Sequence, residues 1–195
     1  MEQIHLLRLP FVKESGQMGE MRNIVVVPYE AVWVQRFWEE AVDIAAVFGD
    51  ELLSIHHIGS TSIPGMSAKP VIDIMLTVAD IERVDRFNAG MTRLGYIAKG
   101  ELGIAGRRFF VKGDDVSRTH HVHAYELKNP EVMRHLDFRD YLAAHGDEAR
   151  EYARLKIDLA CRYHDDIDGY MAGKDGFIKG VLMKARESRG GALDE

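Results

Sequence analysis

The chain has 195 residues and a mass of 22.1 kDa, enough for one large domain but not for two of full size. Hydrophobic residues make up 46% and charged residues 29%, an ordinary globular balance that sets aside disordered, collagen-like and coiled-coil classes. Its 25 Lys and Arg against 31 Asp and Glu leave a formal charge of −6 and a pI near 5.8, so there is no overall basic footprint for duplex nucleic acid or an anionic membrane.

Residues 1–20 read as an N-terminal extension, apolar from Ile4 to Phe11 and polar from Lys13 to Glu20. The β-branched run Ile24 to Val27, closed by Pro28, predicts a strand or extended entry segment. Trp33, Phe37, Ala41, Ile44, Ala45 and Phe48 then recur at helical spacing, with Gly49 as the stop. Leu52 to Ile58 predicts a strand entering the turn Gly59-Ser60-Thr61-Ser62-Ile63-Pro64-Gly65, and Pro70 to Val78 a central strand buried on both faces. Ile81, Val84, Phe87, Met91 and Leu94 outline one further helix, capped by Asp80 and ended by Gly95. Strand-like runs follow at Tyr96 to Lys99, Arg107 to Lys112 and Thr119 to Leu127, with Gly113-Asp114-Asp115 as a loop or hairpin signal. From Pro130 onward the pattern is helical, on Val132, Leu136, Tyr141 and Leu142, then Tyr152, Leu155, Leu159 and Tyr163, then Phe177, Val181 and Leu182. The expectation is an α+β body in which helices pack on a mixed sheet, with a helical C-terminal portion, a single domain over residues 21–187 and a frayed tail over 188–195.

The single cysteine, Cys161, excludes an intramolecular disulfide and a Cys-rich zinc site. It reads as a buried structural thiol. The apolar runs are far shorter than the roughly 20 residues of a membrane span, and no signal-peptide pattern opens the chain. Those features fit a protein of the reducing cytoplasm with no membrane partner.

The segment from His56 to Met75 carries the densest chemistry. A strand running into Gly59-Ser60 offers backbone N–H groups and a hydroxyl with little bulk, which suits close approach of a phosphate. Asp73 is the one charge in a run of Val, Ile, Met and Leu. A lone buried carboxylate costs several kcal/mol, so it demands a metal, a cation or strong hydrogen bonds, or else caps a neighbouring loop. In Thr119 to Tyr125 the period of two sends Val122 and Ala124 to one face, read as the core, and His121 and His123 to the other. These two imidazoles either ligate a metal, with Asp73 completing a His-His-carboxylate set, or hydrogen-bond an anion. His57 stands closer to the turn than His56 and is the better site candidate of that pair. Lys69, Arg118 and Arg107 stand at strand ends and offer charge for phosphate. Trp33 reads as core, with Tyr29 a minor candidate for stacking on a base.

The order Gly59-Ser60, an intervening loop, and an apolar strand bearing Asp73 resembles the nucleotidyltransferase superfamily. In that pattern Gly-Ser holds nucleotide phosphates and an Asp-x-Asp or Asp-x-Glu pair holds divalent metal. Here Met75 stands where the second acid belongs, so the metal pair is incomplete. His57-Ile58-Gly59-Ser60-Thr61, Lys69-Pro70, Ile72-Asp73-Ile74, Arg118-Thr119-His120-His121-Val122-His123 and Phe138-Arg139-Asp140-Tyr141-Leu142 resemble the GrpB family, itself similar to an extension of some dephospho-CoA kinases. The resemblance runs from about Val26 to about Ala185. It implies a nucleotidyltransferase-like mixed sheet with packed helices and a nucleotide or related phosphorylated ligand near Gly59, Ser60, Thr61, Lys69, Arg107 and Arg118. A divalent cation, Mg²⁺, Mn²⁺ or Zn²⁺, would sit on Asp73, His121 and His123, which would be the catalytic residues of a metal-dependent nucleotidyltransferase. The rival readings are a non-catalytic binding or helper module that kept the fold, and phosphoester hydrolysis at a His-Asp metal centre.

Overall fold

In the computed structural model the described residues are 24–114 and 117–191; the expected extension over 1–20 lies outside them. Helix α1 (Val32–Phe48) buries Trp33, Phe37, Ala41, Ile44 and Phe48, the stripe its spacing predicts. Strands β1 (Leu52–Ile58), β2 (Ile72–Val78), β3 (Tyr96–Ala98), β4 (Arg107–Lys112) and β5 (His120–Glu126) form one sheet of order β1-β2-β5-β4-β3. Only β2 and β5 pair in parallel; the other neighbours are antiparallel, so the sheet is mixed as expected.

The segment after Asp80 differs from the single helix its periodicity predicts. It opens as a 3-10 helix over Ile81–Phe87, with the Asp80 carboxylate accepting the Glu82 N–H at 2.9 Å, and turns α-helical only in α2 (Asn88–Arg93). Tertiary bonds hold the tighter winding. The Ile81 N–H donates to Glu126 at 3.2 Å, and Arg108 grips Asp85 and Glu82 at 3.1 and 3.2 Å.

Three helices complete the chain, α3 (Pro130–Ala144), α4 (Gly146–Arg162) and α5 (Ile167–Gly191). Asn129 accepts the Glu131 N–H at 3.0 Å and Pro130 follows it, a strong start for α3. α5 continues to Gly191, so residues 188–191 of the expected tail are helical, and the remainder lies outside the described residues.

Strand alternation divides the core. Ile72, Ile74, Leu76, Val78, Phe110, Val122 and Ala124 face α1 and α2. Ile58, Met75 and Tyr125 on the opposite face meet Val132 and Leu136 of α3. Leu142, Tyr152 and Val181 then join Ile63 and Met66, which clamps the three C-terminal helices onto the loop after β1. The histidine-bearing face is therefore also covered, by α3. Among the described residues no helix is long and apolar enough to cross a membrane.

Candidate functional site

Parallel pairing of β2 with β5 sets Asp73 opposite His121 and Met75 opposite His123. All four side chains share one face, at the end of the sheet where β1 runs into the Gly59 turn. His121 Nδ1 lies 3.0 Å from Asp73 Oδ1. One ligand atom each from Asp73, His121 and His123 lie within 4.8 Å of one another. His121 Nε2 and His123 Nδ1 are shut off from solvent and have no hydrogen-bond partner. A buried polar atom without a partner costs about 1–3 kcal/mol, and two of them beside a carboxylate make a donor set of the kind that imidazole-binding cations accept.

Electrostatics suit that set. Burial pushes the Asp73 carboxyl up, but the His121 hydrogen bond and the electrostatic influence of the surrounding imidazoles His121, His123 and His135 outweigh it, and Asp73 lies below its ordinary range. Burial, then His135, holds His123 well below the usual imidazole value, so the neutral ring keeps one nitrogen with a free lone pair. His135 on α3 is lowered by burial as well, and its ring centroid is 5.5 Å from that of His123.

Gly59 explains the turn. Its φ is +70°, and a Cβ there would stand 2.5 Å from Asp73 Oδ2. Only glycine admits both the backbone conformation and the carboxylate. The turn continues as a 3-10 helix over Ser60–Ser62, with the Ser62 hydroxyl donating to the Gly59 carbonyl at 2.6 Å.

Other residues singled out from the sequence fall in different places. Thr61 is 1% exposed, and its hydroxyl is engaged by His57 Nε2 at 3.0 Å and the Val71 carbonyl at 3.4 Å. Arg107, 5% exposed, stands at the far end of the sheet opposite Tyr125. Its guanidinium donates to the Glu101 and Leu102 carbonyls at 3.1 and 3.0 Å and lies 4.7 Å over the Phe109 ring. Lys69 and Arg118 are half-buried and lead into β2 and β5, at the end of the sheet that carries Asp73. His57, the favoured member of its pair, is on the opposite face, stacked on Phe37 with centroids 4.8 Å apart. His56 is hydrogen-bonded to Ser54 at 2.8 Å. Trp33 is core, as expected, with Tyr29 packed on its edge. Cys161 is exposed, contrary to the buried thiol its stripe suggests.

Met75, in the second-acid position, is 0% exposed and packs with Ile58, Tyr125 and Val132. A shallow depression lined by Ile81, Glu126, Lys128 and Asn129 lies at the other end of β2 and β5 and gathers none of these groups.

Sequence reasoning missed two lysines that pack on aromatic rings of the C-terminal helices. Lys156 of α4 is 2% exposed, donates to the Ser67 carbonyl at 2.5 Å and lies 4.7 Å over the Tyr152 ring. Lys174 of α5 lies 4.2 Å over the Tyr170 ring and feels the charges of Asp73 and Lys69. The signal was present in the stripe Tyr152, Lys156, Leu159, where a lysine occupies an apolar position.

Comparison with known proteins matches the family model described as GrpB protein over residues 23–184. The UPF0157 protein YqkA of Bacillus subtilis is 49% identical over 170 residues, 87% of this chain; the chain spans about half, 49%, of that relative's length. The crystal structure of conserved protein GrpB from Enterococcus faecalis superposes with a TM-score of 0.81 at 42% identity, covering 85% of this chain and 99% of the other. A dephospho-CoA kinase of Mycolicibacterium paratuberculosis is 26% identical over 82% of this chain and 45% of the kinase.

Proposed function

The chain belongs to the GrpB family, and from that premise we propose that it binds a nucleotide or related phosphorylated small molecule, with one divalent cation held by Asp73, His121 and His123. The observation that carries the reading is the pair of buried, unpartnered nitrogens, His121 Nε2 and His123 Nδ1, beside the Asp73 carboxylate. Two imidazoles and one carboxylate suit Zn²⁺ or Mn²⁺ better than Mg²⁺, which prefers an all-oxygen shell. A bound cation would supply positive charge to a phosphate oxygen. The chain's own residues would hold the ligand: Ser60 through its hydroxyl, Gly59 by leaving room beside Asp73, and Lys69 and Arg118 by charge.

This reading takes the sheet as nucleotidyltransferase-like, with a one-cation site, since buried Met75 leaves no second acid for a two-metal centre. The same Met75 favours a second reading, a binding module that kept the fold without the transfer chemistry. Similarity to part of a dephospho-CoA kinase supports including coenzyme A precursors among the ligands tried. An exposed thiol on Cys161 supports a place in a reducing compartment.

The test is calorimetric titration of Mn²⁺ and Zn²⁺, followed by thermal denaturation with nucleoside triphosphates and dephospho-CoA, each with and without the cation. A ligand at 100 times its Kd adds about 2.7 kcal/mol, a shift of several degrees for a chain of this size. Asp73→Asn is expected to lose the cation heat and the cation-dependent part of the shift. A variant that binds cation and nucleotide like wild type would sink the proposal.

A further inference from the structure

We propose that the outer side of α1 is the contact surface for a second copy of this chain, related to the first by a two-fold axis beside Trp38. This goes beyond the cation site and does not rest on it.

The seating of α1 decides which of its sides is open. Its central row, Trp33, Phe37, Ala41 and Phe48, lies on the sheet, with Phe37 stacked on His57 of β1 at 4.8 Å. One flank faces along the sheet. There Glu40 accepts the Tyr96 hydroxyl at 2.8 Å and pairs with Lys112, and a Cβ on Gly90 would stand 2.6 Å from Val47. Those partners belong to β3, β4 and α2. The other flank therefore overhangs β1, the last strand of the sheet, which has no strand on its outer side among the described residues.

On that flank the 3.6-residue turn lines up Ala31, Val34, Trp38, Val42 and Ala45. No charge interrupts the row, although its three large members are 39%, 60% and 67% exposed. A helix side that faces only water is normally polar. The row is also symmetric about Trp38, with valine four residues to either side and alanine seven. A two-fold axis beside Trp38 sets two copies of α1 antiparallel, with Val34 against the partner's Val42 and Ala31 against the partner's Ala45. The tryptophans meet at the centre, where interfaces concentrate their binding energy, and the small residues let the helix ends close. Such a patch contacts itself, so assembly stops at two.

The helices carry the contact. The same rotation lays the two β1 edges antiparallel, but the bulge at Leu53 and the Arg139 guanidinium on the His57 carbonyl at 3.1 Å interrupt that edge against ladder pairing. The 17 residues of α1 span about 25 Å, and helix plus sheet edge is about 20 Å deep. The contact then covers about 500 Å² per copy and about 1,000 Å² in total, the lower end of the range for a specific interface. With a formal charge of −6 on each copy, a contact of this size gives a dimer of micromolar strength that tightens with salt.

Sedimentation velocity of the full chain in reductant, from about 1 to about 200 μM, measures the association. The mass is expected to rise from 22.1 kDa to twice that value and no further. Trp38→Glu is expected to raise the dissociation constant at least tenfold with no loss of stability in dilute urea titrations. Met183→Glu, at a similarly exposed apolar position on α5, is expected to change nothing. Val34→Glu and Val42→Lys should each weaken the dimer, and the two together should recover at least tenfold over either alone. Those positions are about 12 Å apart within one helix and meet only between copies. A monomer across the whole range overturns the proposal, whether Trp38 is open to acrylamide or shielded by another part of the same chain. A dimer that a folded Trp38→Glu leaves intact, or a double variant no stronger than its singles, overturns it as well. If Trp38→Glu does not fold, Val42→Lys decides alone, because that side chain is the more exposed of the two.

Discussion

Gly59 carries two demands in one residue, a left-handed backbone at φ +70° and the close approach of the Asp73 carboxylate. Gly59→Ala is expected to cost about 2–4 kcal/mol, the strained backbone adding to the overpacking, and to displace Asp73 so that cation affinity falls as well. Urea denaturation and metal titration of the same variant measure the two effects. At this scale the sequence was legible where periodicity decides direction. A period of two sufficed to put His121 and His123 together, and the register then brought Asp73 to His121. It was not legible where direction depends on tertiary neighbours. Thr61 and His57 bond each other across the turn, and no pattern within the chain declares that pair. Arg107 stands at a strand end, as read, but the carbonyls that hold it belong to a loop whose path the sequence does not reveal.

Among the elements, α4 and α5 decide how the basic groups are placed, and their contact depends on Gly173. A Cβ there would come within 2.4 Å of Leu159 Cδ2. Gly173→Ala is expected to cost about 1–3 kcal/mol by forcing the helices apart, with the leucine end absorbing part of the strain. Urea denaturation of the variant against wild type checks this. The helical C-terminal portion was plain from its stripes, whereas its docking partner was not. Leu142, Tyr152 and Val181 pack against Ile63 and Met66 in a turn that has no regular periodicity to match. The residues after Asp80 show the reverse error. Their spacing fits a helix, yet bonds from Glu126 and Arg108 wind half of it more tightly.

For the molecule as a whole, the buried titratable groups pull stability in one direction below neutrality. His57 is lowered to about 4 by burial, and His123 and His135 are lowered too, so between pH 4 and 6.5 the unfolded chain binds more protons than the folded one. Stability then rises with pH through that window. Lys156, at about 7 in the fold against 10.5 unfolded, extends the rise above neutrality. Asp73, depressed below 3.8, contributes stability at higher pH that is lost on strong acidification. Near pH 10 the slope reverses, because burial pushes Tyr125 and Tyr170 up to about 12 and the unfolded chain releases those protons first. Urea midpoints at pH 5, 7 and 9 should increase in that order. His57→Gln should flatten the acid limb by roughly 1–3 kcal/mol, the half-exposed ring keeping the value below the full linkage figure. The mixed sheet and its flanking helices were legible because apolar runs and turn residues alternate cleanly along the chain. The strand order was not, since the parallel β2–β5 pairing joins Asp73 to His121 across 48 positions.

Cys161 gives the purified protein a property of its own. With one cysteine per chain, and that thiol at the surface of α4, air oxidation can join molecules only in pairs. Non-reducing electrophoresis of aged samples should show a covalent dimer and nothing larger, abolished by Cys161→Ser. Any sizing experiment on this protein thus needs a reductant before a dimer peak is attributed to native association.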